Sequence, residues 1–483
     1  MRLFCTLVCG LLGTSLGCGG GAGSTSGGDS SNPPPASNAV PSIVTVSPNS
    51  SKPGGDDFVL SVVGTNFISS STVQWNGSTR PTTFVDNTLL TAQISAADIS
   101  TLAANSITVS NPSPGGGISN SKTFAVPCEI PPPAPGAAQT RARLGAFYFD
   151  GWTGPLTNFH FDGLPRGPYQ QREPLTGWQD NNDCAVEKQL ALAHNFGIDF
   201  FVYEWYFNTT DNAAGENLNS ALQITSRLAD RHGMQFAVMY VNGAPFNVGP
   251  ADWTSAVNEW VGYMNDSAYL RVNGSPLFIV INVGEMEPVF GSSAAVTNAL
   301  NELRTAAQTQ GLPGVYIVGG FGVPDGTIGT NSLSDGFTIA QNDGYDAVQL
   351  FGYPFAPPPI NGMLPFSALS DAGLWVWDQA RLHSALPFIP TAMDGWDPRP
   401  WDERSSTGQL TWYSRTPQDV ANFVSDAIDW ANSNPQLRPK PSTAPPLVLI
   451  TSWNEMGEGN HLLPTVEDGT SYGDALATML TGP

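Results

Sequence analysis

Glu455 and Glu458 stand three residues apart, directly after the apolar run 447–452, in the company of Trp453, Asn454 and His461. Two carboxyl groups at one place can divide acid–base work. One protonates a leaving oxygen while the other generates the nucleophile or acts as it, which is what cleavage of a glycosidic bond requires. The spacing alone also suits a solvated helix start, where acids favour the positive end of the helix dipole. The position after an apolar run and the polar and aromatic neighbours favour chemistry. The same pairing of acids with rings recurs after other apolar runs: Tyr148, Asp150 and Trp152; Glu204 and Trp205; Glu285; Tyr353; Trp396 and Asp397. Flat aromatic faces suit the C–H faces of sugars, and carboxylates and amides suit their hydroxyls. The candidate catalytic pair is therefore Glu455 and Glu458. The candidate substrate-binding set is Tyr148, Asp150, Trp152, Glu204, Trp205, Glu285, Tyr353, Trp396, Asp397, Trp453, Asn454 and His461.

Each of these has a structural alternative. Glu204 either orients Glu455, binds a hydroxyl or is a rim acid. Asp397-Pro398-Arg399 reads equally as an internal ion pair that shapes a loop. Every ring taken singly suits core packing. The five histidines do not form a metal-ligand pattern such as H-E-x-x-H, and His461 reads as a hydrogen-bonding residue, so neither metal nor cofactor is expected. There is no G-x-S-x-G for a serine hydrolase.

Elements that bring distant acids together must alternate strand and helix. From residue 143 onward eight apolar runs read as strands, at 144–149, 199–204, 235–241, 276–282, 315–319, 346–351, 388–393 and 447–452. The clearest intervening helices are 185–196, 218–232, 253–265, 294–310 and 417–433. Several strands are apolar throughout, as in a parallel sheet covered on both faces. Eight such units predict a (β/α)8 TIM barrel over 143–483, whose chemistry belongs at the C-terminal strand ends. The alternative is an open doubly wound sheet, but no glycine-rich phosphate loop follows the first strand.

The region 41–126 is different in kind. Six or seven short β-rich runs alternate with Asn-Gly and Pro-Gly turns, which predicts an all-β Ig-like sandwich and hence a multidomain chain. It holds no cluster of acids and histidines, so it reads as a spacer or docking module. Trp75 is a candidate sugar contact or a core ring. A proline-rich linker, 127–142, follows, and a Gly/Ser/Pro tether, 19–40, precedes. Residues 1–18 read as an export signal whose apolar stretch is too short to span a bilayer. Ser15-Leu16-Gly17-Cys18 resembles a bacterial lipobox, with Ser15 where Leu is usual. This implies lipidation at Cys18, ordinary signal cleavage being the alternative. Of five cysteines, Cys128 and Cys184 remain in the folded part and could pair in an oxidising compartment.

Only 12% of the 483 residues are charged, about half the usual share, and the net charge is −22. That excludes nucleic acid, which needs basic patches, and peripheral binding to anionic lipid. A neutral polysaccharide or oligosaccharide needs no electrostatic help. The expectation is an exported monomer, either an outer-membrane or cell-surface lipoprotein of a bacterium or secreted, held to the membrane only by its N-terminal lipid.

The stretch "PSIVTVSPNSSKPGGDDFVLSVVGTNF" with "VQWNG" resembles the IPT/TIG immunoglobulin-like family. "LVLITSWNEMGEGNHLLPT" resembles the last strand of glycoside hydrolase family 99 and of the related WbsX-type family. "LGAFYFDGW", "GIDFFVYEWY", "YLRVNGSPLFIVI" and "MDGWDPRP" resemble further strands of that group, in order. The resemblance implies a retaining endo-acting hydrolase of α-mannosides. Glu455 matches the base that takes the proton of the substrate's 2-hydroxyl, whose oxygen then attacks C1. Glu458 matches the acid/base, and its role implies a raised pKa. Met456 and Gly457 depart from the aromatic residue and the His of family 99, and the Gly is nearer the WbsX-type form. Those relatives often carry a glycosyltransferase label, so a glycosyltransferase-like polysaccharide-processing protein is one alternative, although no D-x-D or phosphate loop is present. A non-catalytic surface glycan-binding protein is the other.

Overall fold

The computed structural model describes residues 37–51, 55–99, 104–126, 141–153, 158–165, 167–207, 217–322, 331–354, 361–402, 410–439 and 444–482. The lipidation candidate Cys18 and the candidate disulfide partner Cys128 lie outside them, whereas Cys184 is disulfide-bonded.

The N-terminal unit is an antiparallel sandwich. One sheet orders Ser42–Ser47, Phe58–Thr65, Leu89–Ile94 and Thr82–Asp86; the other is built on Thr72–Trp75 and Ala104–Asn111. Alternate residues of each sheet face inward: Leu60, Val62, Leu90 and Ala92 from one, Val73, Trp75, Ile107 and Val109 from the other. Trp75 packs on Phe124 with ring centroids 5.0 Å apart, so it is a core ring. Asn76 and Gly77 turn the chain with φ of 51° and 82°, left-handed values that these two residue types tolerate best.

In the C-terminal unit eight parallel strands alternate with helices. The strands, first to eighth, are Arg143–Tyr148, Phe200–Trp205, Gln235–Tyr240, Ser275–Val280, Tyr316–Gly320, Ala347–Gln349, Thr391–Met393 and Leu447–Thr451. Hydrogen-bonded neighbours run six-five-four-three-two-one-eight-seven. The sixth and seventh strands close the ring through a parallel bridge between Val348 and Phe388, where Val348 donates to the Pro387 carbonyl at 2.9 Å and Ile389 donates to that of Val348 at 3.0 Å. The sheet is therefore a closed (β/α)8 barrel and not an open doubly wound sheet. Every residue of Phe200–Trp205 is buried, as expected of a strand with barrel interior on one face and helices on the other.

Of the elements that are shorter than the sequence suggests, two show the cause. The second helix ends at Arg227 because Arg231 folds back, its Nε donating to Thr225 O and its Nη2 to Ser226 O, both at 2.6 Å. These bonds satisfy the last carbonyls and stop the helix. The seventh strand is confined to Thr391–Met393 because Pro390 has no N–H to give the ladder, though its carbonyl still accepts from Leu449 at 2.9 Å.

Candidate functional site

The C-terminal strand ends surround a pocket of about 380 Å³. Six of the eight strands supply its walls: Asn242, Asn282, Phe321, Phe351, Trp396 and Glu458 are one lining residue from each of the third to eighth. Most of the wall is apolar, with a few amides and one carboxylate facing inward, the usual make-up of a small-molecule site.

Glu455 and Glu458 sit on a tight hairpin in which Asn454 and Glu455 pair antiparallel with His461 and Asn460. This removes the solvated-helix alternative. The hairpin is fastened from below: Glu455 N–H donates to Ser452 Oγ at 3.0 Å, and that hydroxyl donates to Asn460 O at 2.6 Å. Asp394, at the end of the seventh strand, accepts from Ser452 N–H at 3.0 Å. Trp401 lies directly over Gly457, where any Cβ would come within 1.9 Å of its ring. The glycine is thus required by the indole that occupies the space a side chain would take.

Glu455 is buried, while Glu458 is half-exposed and lines the pocket. Glu204, at the end of the second strand, is buried and accepts from Tyr206 OH at 2.5 Å. Oε1 of Glu204 and Oε2 of Glu455 have no hydrogen-bond partner. Burial lifts the Glu455 carboxyl well above the usual carboxylate range, and the charges of Glu458 and Glu204 push it further. Burial likewise pushes Glu204 up to about 7, against the pull of the Tyr206 hydroxyl. The same three carboxyls raise Tyr206, after burial itself. Three acids this close in a low-dielectric site do not all ionise together, so the group retains a proton near neutrality.

Several predicted contact residues are placed elsewhere, and the reason is packing. Tyr148, Trp152, Trp205, Tyr353 and Trp453 are all interior, and each satisfies its polar atom within the protein. Tyr148 OH donates to Asp180 (2.9 Å), Trp152 Nε1 to Asn454 O (2.8 Å) and Trp205 Nε1 to Glu259 (3.0 Å). Tyr353 OH donates to Thr391 O (2.9 Å) and Trp453 Nε1 to Gln189 (2.9 Å). Asp150 is buried too, and accepts from Leu222 N–H at 3.0 Å, which satisfies the N-terminus of Ser220–Arg227 where Asn219 offers no side-chain cap. Asn454 bonds both the N–H and the carbonyl of Phe149, at 2.8 and 2.9 Å, tying the eighth strand end to the first. Asp397 holds Arg399 at 2.6 Å and also pairs with Arg172, so it shapes its loop. His461 is buried against Arg415, and burial with that cation lowers it to about 3, which keeps it neutral. Glu285 is half-exposed on the turn Val283–Glu285, away from the lining. Trp396 is the one predicted ring that lines the pocket.

Other residues went unpredicted. Asp180 accepts from Tyr148 and Gln189, and burial pushes it up to about 7. Asp394 is pushed up to about 8 by burial, against the pull of Arg415. Arg172 donates to the carbonyls of Met456 and Asp397, at 3.0 Å each, and so buttresses the hairpin. Tyr206 had a readable signal, since i and i+2 on an extended chain share a face and it follows Glu204 by two. Asp180 and Arg172 lie in loops with no local pattern. Among the described residues no three His, Cys, Asp or Glu are grouped to hold a metal ion.

Residues 41–126 match the IPT/TIG domain family. No curated protein sequence matches the chain. Among solved structures, the GH99 endo-α-mannosidase from Bacteroides thetaiotaomicron is similar at 14% identity over 70% of this chain and 95% of its own, with a TM-score of 0.47. The family 1 β-glucosidase from Thermotoga maritima is similar at 11% over 71% and 98%, with a TM-score of 0.38. The exo-β-1,4-mannosidase of Opitutaceae bacterium strain TAV5 is similar at 10% over 70% and 59%, with a TM-score of 0.38.

Proposed function

We propose that the chain is a retaining glycoside hydrolase of an α-linked, mannan-like polysaccharide, working through Glu455 and Glu458. One observation carries the reading: both glutamates lie on one hairpin at the barrel rim, Glu455 buried beside Glu204 and Glu458 facing a pocket walled by Trp396. The arrangement supplies the pair of carboxyls that glycoside cleavage uses for acid–base work, one facing the pocket and the other buried beside it, with its proton held more tightly than usual. The motif resemblance assigns the steps. Glu455 takes the proton of the 2-hydroxyl and the freed oxygen attacks C1, as Glu458 gives its proton to the departing glycosidic oxygen. Water activated by Glu458 then opens the 1,2-anhydro sugar, and Glu455 returns its proton to O2. Export and anchoring through Cys18 would put this activity at the cell surface, where polymeric glycan is met.

The test is reducing-sugar release from a panel of α- and β-linked polysaccharides by wild type, Glu455→Gln and Glu458→Gln. Wild type is expected to act on an α-mannan, and each variant to lose about 10²–10⁴-fold, the scale of general acid–base catalysis. Unchanged turnover in both variants would remove the assignment, and action on a β-linked polymer alone would replace the substrate.

A further inference from the structure

Arginine is scarce in this acidic chain, and most of it is neutralised. Twelve arginines lie among the described residues, and nine stand within 4.0 Å of a carboxylate. The three that do not are Arg143, Arg271 and Arg438, and these three line a single pocket of about 60 Å³. Arg143 opens the first strand, Arg271 lies in the short hairpin strand Arg271–Val272 before the fourth, and Arg438 follows the turn Pro435–Leu437 before the eighth. All three lie at or before the start of their strands, so the pocket is at the N-terminal face of the barrel, opposite the glutamate rim.

The guanidiniums are held but not neutralised. Arg271 Nη2 donates to Met264 O at 2.9 Å. Arg438 donates from Nε to Ala431 O at 3.0 Å and from Nη2 to Asn432 Oδ1 at 2.8 Å. Arg143 bonds the side-chain amide of Gln235. These partners are neutral acceptors, and each guanidinium has five N–H groups in a planar fork, so donors remain for a ligand. Burial lowers Arg143 from its ordinary value, and Asp199 is the one carboxylate whose field reaches it. Besides Asn273, the rest of the wall, including Val272, Pro439 and the prolines at 445 and 446, is apolar and offers little competing hydration. Three guanidiniums in one pocket with no carboxylate within 4.0 Å stand out in a chain whose net charge of −22 makes acidic partners plentiful. The cavity has room for one compact anionic group.

We propose that Arg143, Arg271 and Arg438 form an anion-binding site at the N-terminal face of the barrel, accepting one compact oxyanion group. The group is either a free tetrahedral oxyanion or a carboxylate carried on a sugar; forked N–H donors fit both.

The experiment titrates inorganic phosphate, sulfate and glucuronate separately into the full chain by calorimetry, at ionic strength held constant with chloride. At least one is expected to saturate a single site per chain. Arg271→Gln and Arg438→Gln should each weaken it by about tenfold or more, the loss of roughly one charge-assisted hydrogen bond. Arg381→Gln, which removes an arginine paired with Asp378, should leave the affinity unchanged. Arg438→Lys, which keeps the charge, should bind more tightly than Arg438→Gln, and circular dichroism melts verify that each variant is folded. Saturation by phosphate or sulfate but not glucuronate assigns a free oxyanion, and the converse assigns a glycan carboxylate. No saturable binding of any of the three to wild type, or binding that survives both glutamine substitutions in folded protein, overturns the site.

Discussion

Glu204, in the second barrel strand, and Glu455, on the hairpin after the eighth, share one buried electrostatic environment in which the charge of Glu204 bears on the proton of Glu455. Glu204 raises Glu455, so removing its charge must lower Glu455. In Glu204→Gln the acidic limb of the pH–rate profile for kcat/KM is therefore expected to move to lower pH, with the Tyr206 hydroxyl still able to donate to the amide oxygen. Reducing-sugar assays between about pH 4 and 8 span the Glu204 value near 7 and the ordinary carboxylate range. A limb that stays in place would separate the two groups.

Gly457 separates the two candidate acids, and Trp401 rests on it. A methyl there meets the ring at 1.9 Å, and the ring is itself tied by Nε1 to His160 O at 2.8 Å. Gly457→Ala is expected to cost about 1–3 kcal/mol by overpacking and to displace the hairpin, so kcat falls along with Tm. The double variant Gly457→Ala/Trp401→Leu should recover part of the Tm in thermal unfolding. Failure to recover any would mean that the strain lies in the backbone and not in the indole.

Trp396 and Trp152 were equal candidates in sequence but differ in place: the first lines the pocket, the second is buried among Phe149, Phe161 and Trp178. Trp396→Ala is expected to raise KM with a small change in Tm. Trp152→Ala should cost about 3–5 kcal/mol of stability through the cavity it leaves. Paired melting curves and KM measurements distinguish them, and a KM effect confined to Trp152→Ala would reverse the assignment.

The barrel was legible because its strands carry their own signal. Runs such as 200–203 are apolar on both faces, as a parallel sheet covered on both sides requires. The acids at the rim were legible for the same reason, since Glu204 and Glu455 follow such runs directly. Burial was not. Tyr148, Trp453 and Tyr353 follow apolar runs just as Trp396 does, but whether a ring points into the pocket or under a helix depends on the barrel's tilt and on the neighbouring loops, which sequence order does not encode. Asp180 is the extreme case. It lies in a loop without periodicity and becomes part of the core only through Tyr148 at the end of the first strand and Gln189 on the helix Asp183–Asn195.

That placement makes Asp180 a probe of proton linkage. Its carboxyl rises from 3.8 to about 7, mainly through burial, and it accepts from Tyr148 and Gln189. A carboxyl with a raised folded-state pKa gives stability that is fully present below the unfolded value, near 4, and is lost as pH rises through about 7. Asn at this position does not titrate. The stability of wild type relative to Asp180→Asn is therefore expected to be greatest near pH 4 and to fall toward pH 8, by on the order of 4 kcal/mol at most, since one pKa unit corresponds to about 1.4 kcal/mol. Asp150 adds to the effect with the same sign, because the Asp180 charge raises it and the variant relieves it. Urea denaturation of both proteins across that range measures the difference directly. A gap that widens with pH would show that Asp180 is held ionised in the fold, with its hydrogen bonds outweighing its burial.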